Sequence, residues 1–401
     1  MGKRILLAWE LGGGRGHLLI LGWIADALRQ RGFEPVFALQ RLDGIQTIRS
    51  SIGTNEVFQA PVWPGLIDRS AYHAPGRSVT FGDVLGGLGL RSPAAFEGML
   101  RAWDQLIARI APAAVVADFA PACLTAARGK VPTVAVGDGF TLPPATLDRF
   151  TNFDDDDSMA KFDEAAMLSV VNGVLRNLGG RELRVLPELF AADRSRASSF
   201  FELDPYQNDR REPIAAPWVP EWNHAVPMSR DEIFGYFSIN TDTRRTILTA
   251  LAQVVRAGVR VRIYIPDLDA ETYSWLAANG IVAEPAPVPF DQIQSRAGLL
   301  ISLASFGFVS CALASGIPQI VMPQGIAKGA TGMAIERLGV GRWTRLNPAS
   351  PIESALLGQV ILETYGNAQF AEKAKILAPD FARRLRPSSA DVIAGLVSEI
   401  A

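Results

Sequence analysis

Residues 5–39 read ILLAWELGGGRGHLLILGWIADALRQRGFEPVFAL, and the fold is decided in this stretch. Behind Lys3 and Arg4, its opening residues form a short apolar run of the kind that makes a buried strand. From Leu18 to Gly32 apolar residues recur at helical spacing, and Gly32 is a stop signal. EPVFAL is a second strand. A strand, a helix and a strand in that order predict a right-handed parallel unit. Between the first strand and the helix stand three glycines, Arg15, a fourth glycine and then His17, one of three histidines in the chain. Glycines at such a turn permit positive φ and let a ligand approach the backbone.

The alternation continues outward. AAVVADF is a strand, APACLTAARG a short helix and VPTVAVG a strand, so the first half reads as an open α/β sheet. A proline-spaced run from Ala215 to Pro227 breaks the pattern, and a second alternation follows. EIFGYFS, VRVRIYI, GLLIS and PQIVM are its strands. TRRTILTALAQVVRAG, AETYSWLAANG and GFVSCALASG are its helices. SSADVIAGLVSEIA reads as a last helix with a serine cap. The expectation is α/β: two Rossmann-like, doubly wound domains facing a cleft, over residues 1–214 and 231–385, with a linker at 215–230. In such sheets ligands bind beyond the carboxyl ends of the strands.

The 401 residues are too many for one ordinary core, and 48% apolar content supplies material for two. A net charge of −2 with no basic stripe argues against a nucleic-acid partner. Cys123 and Cys311 lie far apart in apolar surroundings and read as core residues. The N-terminal apolar run stops at Glu10, too soon for a signal peptide, and no run has the length of a membrane span. A cytoplasmic location is expected. The run FDDDDSMAKF does not space its aspartates as a cation loop does, so no metal is assigned. His73 and His224 have no metal-ligand spacing and receive no role.

GGGRGH does not match G-x-G-x-x-G, and Asp43 lies past the second strand, which argues against a dinucleotide. His17 falls at a helix N-terminus, where the dipole is expected to lower its pKa and leave a neutral imidazole usable as a general base. Asp118 ends the strand AVVAD and should emerge at the same sheet edge, placed to orient the ring. The alternative is that each residue merely caps its helix. Trp63, Phe81, Trp103 and Phe140 are aromatic candidates for an apolar acceptor pocket or for the core, with Phe140 the best placed.

The glycine turn with His17, the segment AVVADFAPACLTAARGKVPTVAVG, SSFFELDPY and the long run from Pro287 to Gly341 together resemble GT-B-fold glycosyltransferases, the superfamily of UDP-glycosyltransferases. The resemblance spans nearly the whole chain. It implies two Rossmann-like domains, with residues 386–401 crossing back onto the first. It also implies a nucleotide-diphosphate sugar donor of UDP or TDP type as substrate, with no cofactor. His17 falls on the histidine that deprotonates the acceptor and Asp118 on its partner aspartate, with Gly14 and Phe140 on the acceptor side. Ser238 and Asn240 in YFSINTD match a loop that approaches the donor phosphates, and Val288 lies in the donor-binding region.

The donor loop departs from the family's His-Gly-Gly-x-Gly-Thr. Here it reads LASFGF: Leu303 replaces the histidine, Ala304 and Ser305 the glycines, Gly307 is kept, and Phe308 replaces the threonine. Ala327 and Lys328 stand where the family has an Asp-Gln pair for the sugar hydroxyls. The helix that follows still offers free N–H groups to an anion. Ser305 adds a hydroxyl and Lys328 a charge for a phosphate or an acidic sugar, unless that lysine is simply solvated. Phe306 and Phe308 either stack on a ligand or pack inside. Three functions follow: an inverting transferase with His17 as base and an acceptor hydroxyl or amine, a non-catalytic relative that binds a partner protein, or a nucleotide-sugar epimerase.

Overall fold

The structure is a computed structural model that describes residues 2–13, 15–72, 74, 76–153, 159–223, 228–237, 241–323, 326–344 and 351–401, without the side chains of 241–242, 326–328 and 351–352. The run 154–157, His73 and His224 lie outside the described residues. The chain divides into two compact units, Met1–Ala216 with Pro387–Ala401, and Pro217–Arg386.

The first unit holds β1 (Arg4–Trp9), β2 (Glu34–Leu39), β3 (Val57–Gln59), β4 (Ala114–Asp118), β5 (Thr133–Asp138) and β6 (Arg194–Ser198). They form one sheet in the order β3-β2-β1-β4-β5-β6, parallel at every pairing. The central strands are buried on both faces, which is why they read as continuous apolar runs. Helix Ser389–Ile400, capped by the Ser388 side chain on the Asp391 N–H, packs on helix Gly16–Gln30. Lys3 Nζ donates to the Ala401 carbonyl at 2.6 Å, so both ends of the chain belong to this unit.

The second unit holds β7 (Glu232–Tyr236), β8 (Arg260–Tyr264), β9 (Val282–Glu284), β10 (Ala297–Ser302), β11 (Gln319–Val321) and β12 (Gly341–Trp343). Their order, β12-β11-β10-β7-β8-β9, repeats that of the first sheet, strand for strand. In this order the direction of winding reverses between the first and fourth strands. That reversal falls between β1 and β4 in one unit and between β7 and β10 in the other. Among the described residues no helix is long and apolar enough to cross a membrane.

Candidate active site

The reversal point of the first unit is where the sequence candidates meet. Trp9 and Asp118 end β1 and β4 in register with each other. Beyond Trp9 the chain turns through Gly12, which has φ +87°, and enters helix Gly16–Gln30, whose start has no side-chain cap. His17 in its first turn donates from Nδ1 to Asp118 Oδ2 at 2.8 Å. A carboxylate only accepts, so Nδ1 carries the proton and the lone pair is left on Nε2. Trp9 stacks on the imidazole at 5.3 Å, and its own Nε1 is tied to the Leu11 carbonyl at 2.6 Å. A Cβ on Gly12 would stand 2.4 Å from Nε2. The glycine run therefore has a local cause: the nitrogen that would act as base lies against a residue with no side chain. Gly14 lies outside the described residues.

Asp118 is wholly buried, while His17 keeps 16% of its side chain exposed. Asp118 Oδ1 has no hydrogen-bond partner among the described residues, so His17 is what compensates this carboxylate. Phe119, the next residue, holds φ +50°, an unusual conformation for a bulky side chain. Its ring lies 5.9 Å from the imidazole.

The expected lowering of the His17 pKa is corrected by its surroundings. Burial does pull it down, but the Asp118 carboxylate, by charge and by hydrogen bond, and then Asp138 outweigh burial and raise it. Asp138 is a residue that the sequence reading passed over. It ends β5, two residues past Val136, which pairs with Asp118, so the strand alternation puts both acids on one sheet face. Its Oδ1 accepts the N–H groups of Phe140 at 2.9 Å and Thr141 at 2.8 Å. Burial raises the Asp138 pKa, against those hydrogen bonds and the His17 charge. A strand-end Asp followed by Gly signals a turn, and VAVGDG carries that signal but nothing that ties it to His17.

Phe140, the aromatic expected to line an acceptor pocket, is only 6% exposed and packs on Phe81 and Phe153, within the core. Trp63, Phe81 and Trp103 are also buried. This unit also holds a cavity of about 440 Å³ lined by Leu66, Arg69, Asp83, Lys161 and Phe162 among others. Helix Phe81–Leu85 borders it with Asp83 and Val84 and, through Phe81, touches Phe119 beside His17.

At the reversal point of the second unit the residues present are different. Leu303 is buried in the apolar core. Ala304 takes φ +58°, and Ser305 precedes helix Phe306–Ser315 without a side-chain cap. The first N–H groups of that helix have no intrahelical acceptor. Gly307 is required for a packing reason: a Cβ there would lie 2.7 Å from the Trp218 carbonyl oxygen. Phe308 and Val288 share an apolar cluster with Phe234 and Phe290, and the Phe308 ring lies 5.6 Å from Tyr236. Packing is thus what the structure shows for Phe308. Ser238 and Asn240 lie outside the described residues, and Lys328 is placed only by its backbone, in helix Ile326–Leu338. Among the described residues no group of His, Cys, Asp and Glu could hold a metal.

Comparison with solved structures shows the same fold over the whole length. The calicheamicin glycosyltransferase CalG4 superposes with a TM-score of 0.73 at 19% identity, covering 99% of this chain and 98% of its own. The kitacinnamycin glycosyltransferase gives 0.68 at 16%, covering 99% of each chain. The spinosyn rhamnosyltransferase SpnG gives 0.67 at 16%, covering 99% of this chain and 100% of its own. SpnG has also been solved with its spinosyn aglycone and with thymidine diphosphate. The chain therefore has the GT-B fold. No protein-family model matches the sequence, and no curated protein does.

Proposed function

We propose that the protein transfers a sugar from a nucleotide-diphosphate sugar to an acceptor hydroxyl or amine, with inversion. The observation that carries this reading is the His17–Asp118 pair at 2.8 Å, set at the sheet's reversal point with Nε2 free of a side-chain neighbour from Gly12. The acceptor's proton passes to Nε2. The acceptor oxygen or nitrogen forms its bond to the anomeric carbon as the bond from that carbon to the diphosphate oxygen breaks. The nucleoside diphosphate leaves with the electron pair. Asp118 stabilises the imidazolium that results. The N-terminus of helix Phe306–Ser315 receives the leaving diphosphate by backbone N–H groups and dipole. The same reading assigns Ser305, Ser238, Asn240 and Lys328 as polar partners of the donor, and Val288 and Phe306 as apolar neighbours of its nucleoside. A donor of TDP or UDP type fits this reading, and the fold is shared with a transferase solved with thymidine diphosphate.

A second reading, a non-catalytic protein that binds a partner, is favoured by Leu303, buried in the core where the resemblance places a phosphate-contacting histidine. One experiment separates the two. Thermal unfolding is followed against a panel of nucleotides and nucleotide sugars. A ligand at about 100 times its Kd adds roughly 2.7 kcal/mol to the folded state. A shift with one nucleotide class supports the transferase and identifies its donor. No shift with any member supports the partner-binding protein.

A further inference from the structure

Glu10 is the one acid at the end of β1 that the proposed chemistry does not use, and it is wholly buried. Its neighbours come from four elements. Trp63, ahead of helix Pro64–Ile67, donates its indole N–H to Oε1. The first turn of helix Pro121–Ala127 donates the Ala122 N–H to Oε1 at 3.2 Å and the Cys123 N–H to Oε2 at 3.0 Å. Gln40, just past β2, donates to the Glu10 carbonyl oxygen at 2.8 Å. Helix Pro93–Ile110 brings Trp103 up to the carboxyl group. Cys123 is the titratable side chain facing it, and no cation pairs with it among the described residues.

A buried carboxylate without a counter-ion is costly, and hydrogen bonds from fixed donors are what hold it. The location of these donors is informative. Glu10 follows Trp9, which stacks on His17, and its carboxylate grips the helix whose chain has just left Asp118 and Phe119. A backbone bond from the Leu11 N–H to the Phe119 carbonyl, at 3.0 Å, closes the same seam. Asp118 ends β4 and His17 begins the helix that follows β1, and Glu10 fastens the chain leaving one strand to the chain leaving the other.

We propose that Glu10 is a positioning residue: its carboxylate clips the end of β1 to the chain after β4 and so sets the His17–Asp118 hydrogen bond, with the clip altered when Glu10 takes up a proton. All the donors facing Glu10 point N–H groups at it, which an ionised carboxylate accepts and a protonated one meets with a competing O–H. Burial pushes its pKa up to about 7, against the donors from Cys123, Trp63 and Ala122. The change therefore falls in the neutral range. Its importance for catalysis rests on the transferase reading, but the clip does not, and the test needs no sugar transfer.

The test follows the imidazole of His17 by ¹H–¹⁵N NMR in the full chain through a pH titration, with the signal assigned by its loss in His17→Gln. The wild-type signal should show its own titration and a second inflection near pH 7. In Glu10→Gln the second inflection should vanish, and the downfield Nδ1 proton of the Asp118 hydrogen bond should move upfield. An Nδ1 proton and a titration curve both unchanged in Glu10→Gln overturn the proposal. Should Glu10→Gln fail to fold, Trp63→Phe removes one donor and should move the inflection to higher pH. An unmoved inflection in that variant overturns the proposal equally. Assaying transfer on the same samples tells the two readings apart. An intact clip in a protein that binds no nucleotide sugar defeats only the transferase.

Discussion

The two sheets have one strand order and put different chemistry at the same place. β4 and β10 are equivalent strands, and each is followed within two residues by a left-handed residue that is not glycine, Phe119 at φ +50° and Ala304 at φ +58°. Beside the first stands a buried Asp118 with an imidazole bonded to it. Beside the second stand Ser302, whose hydroxyl accepts the Ala304 N–H at 3.3 Å, and a buried Leu303. Sheet topology makes a sharp turn available at each reversal point, and the side chains decide its use. One unit has an imidazole hydrogen-bonded to a buried carboxylate. The other has a helix N-terminus without a side-chain cap, backed by an apolar cluster.

The largest effect should come from the side of the comparison that carries charge. His17→Gln keeps an N–H for Asp118, which spares the fold the cost of an unpaired buried carboxylate, about 3–5 kcal/mol. It removes the base at Nε2. Turnover should fall by roughly 10²–10⁴-fold while the affinity for the donor nucleotide, measured by calorimetry, stays unchanged. Equal losses in turnover and donor affinity would show that the two reversal points do not divide the work in this way.

A smaller effect is expected on the apolar side. Phe308→Ala removes a ring packed on Tyr236, Phe290 and Phe234. As a core residue it should cost about 3 kcal/mol of stability in denaturant unfolding, toward the lower end for a phenylalanine because it is only partly buried. Nucleotide affinity should hardly change. Little loss of stability with a large loss of affinity would make Phe308 a stacking partner and bring the two reversal points closer in kind.

What could be read from the sequence follows from position in the sheets. β1, β2, β4, β5, β7, β8, β10 and β11 lie inside their sheets, and all eight stand out in the sequence as strands. β3, β6, β9 and β12 are the edge strands, and none was read. An edge strand pairs on one side only and needs less apolar surface, as RSRAS in β6 and VAE in β9 show. His17 and Asp118 were legible because each stands at the junction of a clear strand and a clear helix. Asp138 and Glu10 were not, since their roles depend on register across strands and on helix ends brought together only by folding. Phe140 and Phe308 were ambiguous for the same reason: an aromatic near a strand end reads alike whether it faces a ligand or the core.

The smallest effect sharpens the comparison most, because it separates two acids on one sheet face. Asp118→Asn and Asp138→Asn should both lower the His17 pKa, Asp118→Asn further, since Asp118 acts by charge and hydrogen bond and Asp138 by charge alone. Stability should divide them. His17 has a folded pKa raised above its ordinary value of 6.5, so the stability of its pairing is fully present below pH 6.5 and is lost as pH rises through the folded value. Asp118→Asn removes that increment, and its urea midpoint should fall most in acid and least in alkali. Asp138 has its pKa raised by burial, so its ionisation costs stability above its ordinary value of 3.8. Asp138→Asn keeps an oxygen for the Phe140 and Thr141 N–H groups and removes the buried charge. Its midpoint at neutral pH should rise slightly while the His17 titration moves down. A midpoint that falls in both variants would make Asp138 a second structural partner of the imidazole, and the first reversal point would then hold a three-member network instead of a pair with a distant acid.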